Sequence, residues 1–397
     1  MHSMVSKFIY KFIGILGILM LLFSCQTNDT SDDIIQSFID ENRSIPNTDG
    51  NNIGGTLTEN LTLSQGTFIL NEALIVPEGI TLTLDPGVII KANQGADVFV
   101  AITQGGRINA NGTVDNPIVF TSNNPSPAPG DWGGLIILGR APINSVPGGD
   151  ATSTSEIGGL SYGGSNAEDN SGILRYVRVE YSGGSASASS ENNAFTLYAV
   201  GSGTTIEFIQ AFEGLDDGIE FFGGTVNANY ISMIGAQDDS VDWTEGFSGT
   251  LTDVYIEHRG QHDRGIEGDG FNIDIGNNSS SGFFSNPTIT NLSIIGLGSD
   301  TQNGAIRIRA GTRVTFNNVF LQGYTEGFDL DGDLGNSPTG QGVIDDITNA
   351  NGVGFDDVSL IFRNDTGFDF GQEDFINNLN LGTGTDYDTW RIGWTRE

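Results

Sequence analysis

Between residues 215 and 270 one short run of sequence is written almost three times. Asp216-Asp217-Gly218-Ile219-Glu220-Phe221-Phe222-Gly223-Gly224 returns 22 residues later as Asp238-Asp239-Ser240-Val241-Asp242-Trp243-Thr244-Glu245-Gly246. A looser copy, Asp263-Arg264-Gly265-Ile266-Glu267-Gly268-Asp269-Gly270, follows about 25 residues on. A period of roughly 20–50 residues marks a solenoid, in which each repeat buries its apolar face against its neighbours. Inside each copy the apolar residues alternate. Ile219 and Phe221 face one way with Gly218 and Glu220 opposite, and Val241 and Trp243 oppose Ser240 and Asp242. Period two is the signature of a strand with one face in a core, and the Gly, Asn and Asp clusters between the runs supply the turns. Gly304-Ala305-Ile306-Arg307-Ile308 opens a further coil and Gly327-Phe328-Asp329-Leu330 the next, after 23 residues. The interval of 39 between Gly265 and Gly304 reads as one coil plus an insertion at 277–282. The expectation is an all-β chain folded as a right-handed parallel β-helix, with roughly 22–25 residues per coil. An antiparallel sandwich does not require constant spacing between near-identical turns.

Stacked coils lie about 4.8 Å apart, so equivalent side chains form columns. Glu220, Asp242 and Glu267 are expected in one column, and Asp217 and Asp239 in another. Two carboxylates about 5 Å apart repel by about 3 kcal/mol at an effective dielectric near 20. A cation, a hydrogen-bond donor, a raised pKa or bulk water must relieve such a column. All-oxygen ligands at this spacing suit a hard cation such as Ca²⁺, which makes Asp217, Glu220, Asp239, Asp242 and Glu267 the candidate metal ligands. Trp243, His258, Asp263 and Asp269 lie beside them as candidate binding residues. A solvated, repetitive polar face with internal salt bridges is the competing account. His258 and His262 are four apart on β-coils, which is not the helical zinc pair.

The chain carries 16 basic and 50 acidic residues. A nucleic-acid partner is excluded by that balance, because phosphate binding needs a basic footprint. Residues 1–24 read as a leader: Lys7 and Lys11 precede an apolar run, from Phe12 to Phe23, that is short for a membrane span. Removing it leaves 14 basic residues against 50, a net charge of about −36. Leu22-Phe23-Ser24-Cys25 resembles a bacterial lipobox, and Cys25 is the single cysteine of the chain. Lipidation at Cys25 follows from that likeness. The polar, acidic stretch 25–53 reads as a tether, and it resembles the surface-export signal of lipoproteins in Bacteroidota-type bacteria. Residues 54–397 then form one solenoid domain, with long loops near 140–170 and 182–192 where binding is usually built. Trp390-Arg391-Ile392-Gly393-Trp394 is aromatic enough to close the last coil. Asp329-Leu330-Asp331-Gly332-Asp333 has the alternating carboxylates of a calcium loop, but Leu334 stands where an EF-hand needs Gly.

The runs 76–91, 105–113, 116–122 and 130–139, together with 216–227 and 238–243, resemble a group of lipid-anchored and secreted right-handed parallel β-helix proteins with the pectin-lyase-like fold. The likeness spans most of residues 54–330. It implies fold and a cell-surface location but no reaction. Two functions follow as expectations. The first is a surface-exposed outer-membrane lipoprotein that binds a glycan, a nutrient or an outer-membrane protein, with Ca²⁺ in the acidic coils. The second is a Ca²⁺-dependent polysaccharide lyase or glycoside hydrolase; Asp239 and Asp242 would then be catalytic, with His262 or Arg264 as base. A purely structural stalk is a third class, though it has no need of so many Asp, Glu, His and Arg within three coils.

Overall fold

The structure is a computed structural model that describes residues 50–145, 151–186, 191–272, 283–301, 303–332 and 339–397. The leader, Cys25, nearly all of the tether and the 277–282 segment lie outside these residues. Among the described residues, 22 strands are joined in one hydrogen-bonded network from Asn52–Thr56 to Ile376–Leu379, and its pairings are parallel. This rules out the sandwich: the one antiparallel pair of described strands is the small hairpin of Thr152–Thr154 with Ser161–Gly163. The chain is a right-handed parallel β-helix.

Three sheets run along its axis. The first contains Arg107–Asn111 and the early halves of Gly172–Glu180, Thr205–Phe212 and Asn227–Ile234. The second contains Ile118–Ser122 and the later halves of those same strands. A left-handed residue bends each coil between the two sheets: Tyr176, Phe208, Tyr230, Asp253, Asn291 and Asn318 all have φ between 50° and 58°. Stacking stabilises this otherwise uncommon conformation. Tyr176, Phe208 and Tyr230 stack at 4.4 and 4.2 Å, and the Asn291 amide donates to Asp253 at 3.0 Å. The third sheet holds Leu135–Leu138, Phe195–Tyr198, Ile219–Phe222, Val241–Thr244, Ile266–Asp269 and Gly304–Arg309. It carries the repeated acidic motif. From Gly304 onward the register is 22 residues, since Gly304 pairs with Glu326; the sequence spacing of 23 is one residue long.

Alternation puts Ile219, Phe221, Val241, Trp243 and Ile266 in the core, all without solvent exposure. The third copy has Gly268 where the others have Phe221 and Trp243, and it pairs directly with Trp243. A methyl group at Gly268 would overlap the Trp243 indole ring. Gly268→Ala is therefore expected to destabilise the fold by about 1–3 kcal/mol through overpacking, read as a lower melting temperature.

The carboxy terminus does not close the last coil. Phe375, from the short helix Gln372–Phe375, packs on Phe328 and Phe362 at that end. Trp394 instead lies edge-on to Tyr176 and Phe208, many coils back, and the Trp394 carbonyl accepts from Arg178 at 2.7 Å. The terminal tryptophans thus cover the stacked aromatic bends, Trp394 edge-on to Tyr176 and Phe208 and Trp390 edge-on to Tyr230.

Candidate functional site

Two columns of side chains point outward from the third sheet. One runs Ile136, Thr196, Glu220, Asp242, Glu267, Arg307, Asp329, Arg363. The other runs Leu138, Tyr198, Phe222, Thr244 and, further on, Asp269 beside Arg309. The same face is thus apolar in the early coils, acidic over three coils and charge-alternating beyond. The apolar part is covered by the excursion that begins near residue 140, whose Ile143, Ile157, Leu160 and Tyr162 form a second core with Phe99, Leu138, Tyr198 and Phe222. Asn144 fixes the excursion by donating to the carbonyls of Gly270 and Phe283, both at 2.7 Å. Where this cover ends, the acidic coils open into a cavity of about 220 Å³.

All five candidate metal ligands line that cavity, joined by Glu156, Glu191, Asn193, Asp216 and Asp238. Among the described residues no Lys, Arg or His lines it. Carboxylate oxygens come within 4.8 Å of one another in four trios: Asp216/Asp217/Asp238, Asp217/Glu220/Asp242, Asp238/Asp239/Asp263 and Asp239/Asp242/Glu267. Two of the aspartates also staple the coils. Asp217 Oδ1 accepts the Asp239 N–H at 2.9 Å, and Asp239 Oδ1 accepts the Arg264 N–H at 2.7 Å. Asp242 Oδ1 and Thr244 Oγ1 are buried without a hydrogen-bond partner. An unpaired buried oxygen is costly, and a cation is one group that relieves it.

The electrostatics follow from crowding in a place poorly reached by water. Burial raises the carboxyls of Asp217, Glu220, Asp239 and Asp242 well above their usual range, and neighbouring carboxylates add to it. Burial, with Glu191 and Asp238 nearby, pushes Asp216 up to about 8. Glu267 is raised by burial but held down by Arg309 and Arg307, with which it forms ion pairs. Asp269, paired with Arg309 at 2.6 Å, is pushed up to about 7, again by burial first.

Several expected binding residues sit elsewhere. Trp243 is a core residue with its indole N–H on Thr312 Oγ1 at 2.9 Å, so it offers no surface to a ligand. His258 and His262 do not reach the cavity. They stack on each other at 3.8 Å, buried, with Tyr324 edge-on, because they lie at the corner after Thr250–Glu257 and before the acidic turn begins. Burial pushes His258 down to about 3. Arg264 is outside the cavity lining and pairs with Asp263 at 2.9 Å. Asp263 is at the outer rim, its side chain 49% exposed. Asp269 lines a small adjoining pocket with Arg309. Asp329 and Asp331 are held in ion pairs by Arg363 and Arg307. Of the residues missed, Asp216 and Asp238 open their copies of the repeat and were readable from it. Glu156 and Glu191 come from non-repeating loops and carry no periodic signal.

The family profile of the pectate-lyase like beta helix domain matches residues 55–395. The chain belongs to this family. Among solved structures, the family 28 exopolygalacturonase of Yersinia enterocolitica aligns over 82% of this chain and 73% of its own at 13% identity, with a TM-score of 0.22. No curated protein matches the chain.

Proposed function

We propose that this pectate-lyase-like β-helix protein binds a glycan through Ca²⁺ held in the acidic cavity, as a lipoprotein anchored by Cys25 on the outer face of the outer membrane. The observation that carries the reading is the cavity itself: carboxylate trios within 4.8 Å, no cation side chain among the described lining residues, and an orphaned Asp242 oxygen. Ca²⁺ takes six to eight oxygen ligands in flexible geometry and leaves positions for sugar hydroxyls or carboxylates. Without a cation the cavity would repel an anionic glycan.

The enzymatic reading has one observation in its favour. Carboxylate oxygens of Asp239 and Asp242 lie within 4.8 Å of each other in the cavity and burial raises both groups, so that one would hold a proton beside an ionised neighbour, as a glycoside hydrolase requires. A lyase is less well supported, because His262 and Arg264, the proposed bases, are outside the cavity.

The test is retention of the purified protein on immobilised polyuronates and neutral glycans, with Ca²⁺ or with chelator, alongside an assay for new reducing or unsaturated ends. The expected result is Ca²⁺-dependent retention without product. Asp239→Asn with Asp242→Asn is expected to weaken Ca²⁺ binding at least about tenfold, roughly 1.4 kcal/mol. Unchanged Ca²⁺ affinity in that double variant would sink the reading, and product formation would replace it with the enzymatic one.

A further inference from the structure

The repeat that builds the cavity also sets how many ions it takes. Shifting one coil along the helix turns Asp217 into Asp239, Glu220 into Asp242, and Asp242 into Glu267. That shift carries the trio Asp217/Glu220/Asp242 onto the trio Asp239/Asp242/Glu267, so the two are copies of one site that share Asp242. We propose that the cavity holds two divalent cations, one coil apart and bridged by the Asp242 carboxylate.

Both ends of the series are closed by residue identity. One coil earlier, the positions of Asp217 and Glu220 are taken by Asn193 and Thr196, and the Asn193 amide donates to Glu220 at 2.6 Å. One coil later, the positions of Asp239 and Asp242 are taken by Arg264 and Glu267, and Arg307 stands where the third carboxylate would be. A third equivalent site would therefore contain two arginines. In this register two ions fit and a third does not. The outer trios Asp216/Asp217/Asp238 and Asp238/Asp239/Asp263 repeat by the same shift, but the second of them ends on Asp263, whose side chain is 49% exposed, and neither holds an unpaired buried oxygen.

Independent support comes from atoms the protein leaves unpaired. Asp242 Oδ1, on the shared residue, is buried with no partner. The next outward residue on that strand, Thr244, is 5% exposed, lines the adjoining pocket with Asp242, and its hydroxyl is also unpartnered. Charge allows two ions as well. Among the described residues nine carboxylates line the cavity, two dications supply four positive charges, and Glu267 is further compensated by Arg307 and Arg309. A spacing of about 4.8 Å between coils is slightly wider than the roughly 3.5–4 Å of carboxylate-bridged two-metal sites, close enough for one carboxylate to span.

This inference rests on the cation-binding reading above, and the ion count separates the two. Native mass spectrometry and calorimetric titration of the chelator-stripped protein with Ca²⁺ are expected to give two ions per chain. Glu220→Gln and Asp217→Asn each remove one site, leaving one ion. Glu267→Gln removes the other and also leaves one. Asp242→Asn loses both ions, with the melting curve confirming that the variant remains folded. No ion bound by the parent protein overturns the cation reading altogether. One ion per chain overturns the paired site alone, as does loss of both ions in Glu220→Gln or retention of two in Asp242→Asn. The parent count stands even where a variant does not fold.

Discussion

Stripped of Ca²⁺, the protein is expected to lose stability as pH rises from about 5 to about 8, and Ca²⁺ is expected to restore it. The sign follows from the carboxyls. Asp216 goes from an ordinary 3.8 to about 8, Glu245 from 4.5 to about 8 and Asp269 from 3.8 to about 7, all chiefly through burial. Each is raised on folding, so its favourable contribution is complete below the unfolded value and is lost as pH climbs through the folded one. A tenfold change in a carboxyl's proton affinity corresponds to about 1.4 kcal/mol, so a few such groups amount to several kcal/mol across this window. Ca²⁺ at the proposed site would take the place of protons on Asp216 and its neighbours. It does not act on Glu245, which is held by Tyr162 at 2.9 Å outside the cavity. At 100 times its Kd a single Ca²⁺ adds about 2.7 kcal/mol, and the effective Kd tightens as protons leave. Melting temperatures at about pH 5 and pH 8, with chelator and with excess Ca²⁺, check this. A Ca²⁺-induced rise that is large at the higher pH and small at the lower is the expected pattern. Equal melting temperatures with and without Ca²⁺ at the higher pH would remove the cation site. On the acid side His258 acts in the opposite sense. Its folded value, about 3, lies below the ordinary 6.5, so its contribution is lost as pH falls through that interval.

Register was the most legible property of this chain. The return of Asp-x-x-φ-Asp/Glu after 22 and then 25 residues, with φ an apolar residue, put Glu220, Asp242 and Glu267 in one column, and backbone pairing places them there. The five candidate ligands therefore share one cavity. Trp243 shows the limit of reading by proximity. The alternation that assigned Val241 to the core assigned Trp243 with it, and the alternation was the better guide. The histidines show another limit. Nearness in sequence to an acidic turn says nothing about which side of a corner a residue faces, and His258 and His262 turn inward to Tyr324. Glu156 and Glu191 could not be found by period because long-range packing of loops, such as Asn144 on Gly270, brings them to the rim. The carboxy-terminal aromatics were expected to close the last coil and do not; they cover the aromatic bends at Tyr176, Phe208 and Tyr230, which are spaced by coil length and not by any local motif.

Arg309→Met is expected to be the most damaging single charge change at the far end of the cavity, and its effect should depend on pH. Arg309 reaches both Glu267 and Asp269, whose side chains are 10% and 7% exposed. Methionine keeps much of the stem's packing, so the loss isolates the guanidinium. Removing one partner of a buried pair typically costs about 3–5 kcal/mol, because the remaining charge is left uncompensated. Here two carboxylates are left against a single remaining arginine, Arg307, which Asp331 also engages. At about pH 8 Asp269 is ionised in the parent, so the full penalty is expected there. At about pH 5 Asp269 is already protonated in the parent, the ion pair contributes less, and the variant should lie much closer to it. Chemical denaturation of parent and variant at both pH values measures the difference. An equal loss at the two pH values would mean that Arg309 acts through packing, and that the acidic column does not depend on its basic end for compensation.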